Sequence, residues 1–200
     1  MVLVGSVSAA HWRRVCWAPA SVAAMPVALA CMPCQSRPSS WWHRAGLRQA
    51  CRQLRAGWTA TLRRLQDMPE GSAHQRAGGE WSAVETLRHL VFVHDSWFRR
   101  CCLGSTGPFT PIGLCPDYVP GQEEQGLDRA ASPSLDEVLA VRDAQAAELE
   151  RWLSAVTASE LSAPAPVPAG PGWPPYARGK SVLECLHVVL NEEWAHPGAQ

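Results

Sequence analysis

Apolar positions recur along this chain at three- and four-residue steps, the period of one helix face. Leu47, Ala50, Cys51, Leu54, Trp58, Leu62 and Leu65 form the first stripe, with arginines on the other face. Ser39 or Ser40 is placed to cap a helix that opens at Trp41, and Met68-Pro69-Glu70-Gly71 stops it. Gly57, inside the stripe, reads as a point of close helix contact. A second helix is predicted from Trp81 or Ser82 to Leu103, entered through the capping box Ser82-Ala83-Val84-Glu85 and ended by Gly104. It is apolar on most sides between 87 and 98, which makes it the central helix. Residues 104–133 hold several Pro and Gly and no sustained period. Such a connection suits a crossover between helices that are not antiparallel neighbours. Ser134 caps a third helix, 135 to about 156, with Leu135, Val138, Leu139, Arg142, Ala146, Leu149, Trp152 and Leu153 on its stripe. A Pro-rich loop fills 163–175. Ser181 starts a fourth helix carrying Val182, Leu183, Leu186, Val189 and Leu190. Four helices, no convincing strand and one long crossover predict an all-α fold, a four-helix bundle.

Composition changes this picture only in part. The 200 residues allow one domain with a real core and a tail. A formal net charge of zero removes the broad electrostatic case for nucleic acid or an anionic membrane, leaving a small-molecule substrate and a homodimer as the expected partners. Lys180 is the sole lysine; with abundant Ala, Pro and Gly, the arginine bias suggests a GC-rich genome. Ten Trp imply large buried anchors or a wide aromatic pocket. The eight Cys lack the spacing of a disulfide scaffold, adjacent Cys101 and Cys102 cannot easily bridge each other, and Cys51 and Cys185 fall in helical patterns as small hydrophobes. Free thiols and a cytoplasmic location follow as expectations. Cys31-Met-Pro-Cys34 has zinc-ligand spacing, but no second pair follows it. Arg13 and Arg14 before an apolar stretch resemble a signal sequence, yet Pro19 and Pro26 interrupt it. Residues 1–39 therefore read as a disordered or mis-started extension, and 40–200 as the bundle. There is no internal repeat, phosphate-cradling Gly loop or nucleophile elbow.

Candidate chemistry lies where polar groups interrupt apolar faces. Glu192 and His196, four residues apart, share one face of the last helix. Buried there, a carboxylate and an imidazole are costly unless paired or metal-bound. The same spacing also suits a solvated helix end. His89 interrupts the most apolar helix, either as a hydrogen-bonded core residue or as a ligand. His94 lies five residues on and about 140° around the helix, so the two are not expected to share an ion. Asp95 could orient a ligand, and His187 is expected to face elsewhere.

Two stretches resemble a known family. Trp81-Ser82-Ala83-Val84-Glu85-Thr86-Leu87-Arg88-His89-Leu90 is similar to the second-helix signature of the DinB/YfiT-like family, and Leu190-Asn191-Glu192-Glu193-Trp194-Ala195-His196 to its last-helix signature. Pro133-Ser134-Leu135-Asp136-Glu137-Val138-Leu139 and Gly170-Pro171-Gly172-Trp173-Pro174 resemble an actinobacterial branch. The resemblance covers about 41–196. It implies an up-down-down-up bundle holding a divalent metal, often zinc or nickel, on three His. It further implies, for some members, transfer of a low-molecular-weight thiol such as mycothiol, bacillithiol or glutathione. Position by position, His89 is the first implied ligand and His196 the last. Glu192 stands where the family usually has a middle His. A basic residue and more helix usually follow; here Pro197-Gly198-Ala199-Gln200 comes instead, so the end reads as truncated.

Two functions follow as expectations. One is a metal-dependent thiol S-transferase acting on a small electrophile, with His89, Glu192 and His196 on the metal and Asp95 or His94 assisting. The other is a non-catalytic bundle that binds a small apolar ligand or a partner helix.

Overall fold

The computed structural model describes residues 44–170 and 172–196. The expectations for 1–39, for Cys31 and Cys34, for the start of the first helix and for 197–200 lie outside the described residues. Four long helical runs dominate: α1 (Arg44–Gln66), α2 (Ala83–Val93), α3 (Leu135–Ala155) and α5 (Val182–Ala195), with a short α4 (Ala158–Ser162) between the last two. No strand occurs among the described residues; a lone bridge joins Pro164 and Ser181. No described helix is long and apolar enough to cross a membrane.

Helix starts follow local chemistry. Ser82, Ser134, Thr157 and Ser181 each accept a hydrogen bond from the backbone N–H three residues on, and Glu85, Glu137, Glu160 and Glu184 each reach back to the cap N–H. Each reciprocal pair satisfies donors that a helix start leaves unpaired. The Thr157 box builds α4, an element absent from the expected set although its Thr-x-x-Glu signal is the same.

The second helix departs from expectation. It does not run as α-helix to Leu103; from His94 to Cys102 it is π-helical. Bonds to the fifth residue back close it, as in Leu103 N–H to the Phe98 carbonyl. The wider turn leaves carbonyls for side chains: Cys101 donates to Ser96 O at 3.1 Å and Cys102 to Trp97 O at 3.3 Å. Gly104 ends the run in a left-handed conformation, φ +69°, and a Cβ there would meet the Pro166 carbonyl at 2.9 Å.

Cross-helix contacts give the packing. Arg44 reaches Ser154 and Arg55 reaches Glu150, so α1 and α3 are antiparallel. Gln145 bonds Val91, His94 meets Glu148 and Phe98 packs on Trp152, so α2 and α3 run the same way. Neighbours that run the same way cannot be joined by a short turn, which explains the long crossover. His89 meets Glu192 and Cys102 meets Val182, so α5 runs against α2. The crossover is itself packed: Phe109, Cys115, Val119 and Leu127 are buried in the same core as Phe98, Leu153 and Leu186.

The tryptophans that are described serve mainly as anchors. Trp58, Trp97 and Trp173 are buried, and Trp152 meets Phe98 edge-on. Gly57 marks no close contact, because a Cβ placed there meets nothing within 4 Å. Its only effect is the entropic cost of glycine in a helix. Gly57→Ala is therefore expected to raise stability by about 0.5–1 kcal/mol. Phe98→Ala, at a fully buried site, is expected to lose about 3–5 kcal/mol. Urea melts of both variants check these signs.

Candidate metal centre

His89 sits on the buried face of α2, and its ring is fixed on several sides. Nδ1 lies 3.2 Å from the Leu114 carbonyl on the crossover. A carbonyl only accepts, so Nδ1 carries a proton and Nε2 points the other way. The Trp81 ring packs at 5.1 Å and Phe92 at 6.1 Å. Leu114 is held in turn, since its N–H donates to Arg88 O and the Arg88 guanidinium donates to Ile112 O at 2.8 Å and Asp128 O at 3.3 Å.

α5 brings Glu192 and His196 to the same place. Glu192 Oε2 is 3.6 Å from His89 Nε2 and 3.4 Å from His196 Nε2, and the two imidazoles meet edge-on at 5.6 Å. One ligand atom from each residue lies within 4.8 Å of the others, an arrangement that could hold a metal ion. The contacts are longer than the usual hydrogen bond of about 2.9 Å. They approach the separation of about 3.3 Å between two donors on a tetrahedral zinc with 2.0–2.1 Å bonds. The donor chemistry fits as well. With its Nδ1 proton on the Leu114 carbonyl, His89 presents Nε2 to the Glu192 carboxylate, and such a pair is held together by a proton or by a cation between them. Burial pushes the Glu192 carboxyl up, but hydrogen bonds and charge from His196 and His89 more than reverse this, holding it at about 2. Glu192 is thus an anion at neutral pH. The side chains are 10%, 20% and 21% exposed for His89, Glu192 and His196, so an ion can enter from solvent.

His94 and Asp95 do not assist this cluster. Asp95 Oδ1 accepts from Arg99 at 2.9 Å and Gln145 at 3.1 Å, and Oδ2 accepts from Thr110 N–H at 2.6 Å. His94 turns to Glu148 at 3.4 Å and stacks near Phe98 at 4.9 Å. Both are committed to joining the π-helical segment with α3 and the crossover. His187 is buried and is not part of the cluster. The five described cysteines form no disulfide. Cys51 is pushed up to about 12 by burial first and then by Glu193 and Glu150, and burial raises Cys102 and Cys115. Those three thiols stay protonated at neutral pH and are poor nucleophiles.

Sequence reasoning missed what surrounds the cluster. The Leu114 carbonyl carries no side-chain signal. Tyr118, Trp173, Tyr176 and Trp97 form a row of rings 5.3–5.7 Å apart. Tyr176 is pushed up to about 12 by burial first, then by Tyr118 and Glu192. A cleft of about 360 Å³ lies elsewhere, among crossover residues such as Asp117, Gln122, Glu123 and Arg129.

The model of the DinB superfamily matches residues 53–199, and the chain belongs to that superfamily. No curated protein matches it, and no solved structure does.

His94 makes the acid behaviour testable. Burial lowers it from 6.5 to about 4, against the pull of Asp95 and Glu148. The unfolded chain then takes up a proton that the folded one refuses. His94 adds nothing to the pH dependence above 6.5; as pH falls from about 6.5 to about 4, stability is expected to drop. His94→Gln should flatten that part of a urea-midpoint-against-pH curve, while the loss from Glu192, between about 4.5 and 2, remains.

Proposed function

We propose that this protein is a metal-dependent enzyme in which His89, Glu192 and His196 hold a divalent ion, zinc or nickel, and leave one position for a small molecule. The observation that supports it best is the convergence of three donor atoms, from two helices far apart in sequence, within 4.8 Å. A divalent ion there would supply Lewis acidity, lowering the pKa of a thiol or water at the open position. The chain's own residues do the rest. The Leu114 carbonyl keeps the Nδ1 proton of His89 in place and aims Nε2. Glu192 contributes a negative charge that a third imidazole would not, making the site less cationic than one built on three His. The exposed rings of Tyr118 and Tyr176 offer apolar surface for an organic substrate.

The finer reading is thiol transfer: a low-molecular-weight thiol, mycothiol in an actinobacterial cytoplasm, loses its proton to solvent, and its sulfur bonds to an electrophilic carbon as the bond from that carbon to the leaving group breaks and the group departs with the electron pair. What motivates it is the resemblance of the two signatures to a family with thiol-transferring members; the three-donor cluster bears on the metal alone. A non-catalytic bundle binding an apolar ligand has less support, because the buried tryptophans are spent on the core and the 360 Å³ cleft has polar walls.

Elemental analysis of the purified protein tests the metal. Close to one equivalent of zinc or nickel is expected, falling below about a tenth in His89→Ala and, less completely, in Glu192→Ala. A metal content that ignores both substitutions would sink the reading. Thiol consumption with a panel of electrophiles, lost in His89→Ala, tests the transfer step.

A further inference from the structure

The last turn of α5 carries two adjacent carboxylates, Glu192 and Glu193, and no basic residue. A helix C-terminus is itself negative, so this turn is electrostatically unfavourable alone. The compensation comes from other helices. Arg142 on α3 donates Nη1 to Glu193 Oε1 at 2.9 Å and Nη2 to Oε2 at 2.7 Å. This two-pronged pair is largely shielded, with side chains 16% and 19% exposed. Trp58 on α1 donates its indole N–H to the Glu193 carbonyl at 3.2 Å, taking up a group that a helix end leaves unpaired. The Arg142 guanidinium lies 5.5 Å over the Trp58 ring, so the two clamps brace each other.

Glu193 is thus held by both side chain and backbone, from two directions. It directly follows Glu192 and precedes by three residues His196, which caps the helix at φ −97°, ψ −18°. Helix ends fray unless tied down, and fraying of this turn would remove two of the three cluster members. Neither Arg142 nor Trp58 belongs to the cluster.

We propose that Arg142 and Trp58 are positioning residues of the candidate metal centre, clamping Glu193 so that Glu192 and His196 converge on His89. The proposal rests on the metal reading above. The fork geometry of Arg142 matters as much as its charge, since an ammonium group cannot make the same parallel pair.

Zinc affinity of the full-length protein, by competition with a chromophoric chelator, and the visible spectrum of the cobalt-loaded protein test it. Trp58→Phe removes one donor and keeps most of the ring; Glu193→Gln removes one charge and keeps the shape. Each is expected to weaken zinc binding about tenfold or more and to alter the cobalt spectrum, with helix content by circular dichroism retained. Arg142→Met should do the same, with Arg142→Lys between it and wild type. If Arg142→Met does not fold, Trp58→Phe and Glu193→Gln decide the matter. Variants that melt earlier yet keep wild-type zinc affinity and cobalt spectrum would overturn the clamp and leave the metal reading standing. A wild-type protein that binds neither ion would overturn both.

Discussion

The structure depends most on one buried carboxylate. Asp95 is 2% exposed, and a carboxylate so placed costs several kcal/mol, on the order of 3–5, if a partner is missing. Its partners come from three places: Arg99 one turn on, Gln145 on α3 and the backbone of Thr110 on the crossover. Satisfying it therefore fixes the π-helical segment, α3 and the long connection relative to one another. Arg99 extends the network to Glu148, which also takes His94. Polar groups inside a bundle specify one arrangement because any other leaves some of them unpaired.

The candidate metal centre inherits this order. Once the crossover is anchored at Thr110, and by Arg88 at Ile112 and Asp128, the Leu114 carbonyl falls beside His89 and sets its tautomer. The other half of the cluster arrives on α5, whose contacts with α2 and the π-helical segment run from Val182 near Cys102 to Glu192 near His89. The site lies where a buried scaffold meets a helix end. Its α2 member is held by the Leu114 carbonyl and the Trp81 and Phe92 rings, and its α5 members lie in the last turn and at the cap of that helix.

Much of the fold is legible in the sequence because it is local. The Ser-x-x-Glu boxes mark helix starts through contacts between residues three apart, and the apolar stripes mark buried faces. The same rule read at Thr157 would have found α4. The π-helical segment was not legible: its wider turn shows no break in the apolar period, and its side chains are satisfied by α3 and the crossover. Gly57 misled because a helical glycine reads as a contact whether or not a neighbour comes near. Arg142 looked like one more position on the α3 stripe, and nothing nearby in sequence announces that its partner is Glu193.

The site divides along the same line. That Glu192 and His196 act together is a consequence of helix pitch, which brings residues four apart onto one face whatever the rest of the chain does. The sequence alone determined that pairing, together with the helical class and the superfamily signatures. The family signature implied His89 as their partner, while its own spacing left it open between a core histidine and a ligand; that it lies beside Glu192, with His94 and Asp95 turned to Arg99, Glu148 and Gln145, is decided by the tertiary structure. Five residues along α2 is a rotation of about 140°, and which side of the helix meets α5 is set by how four helices and a crossover bury their surfaces together.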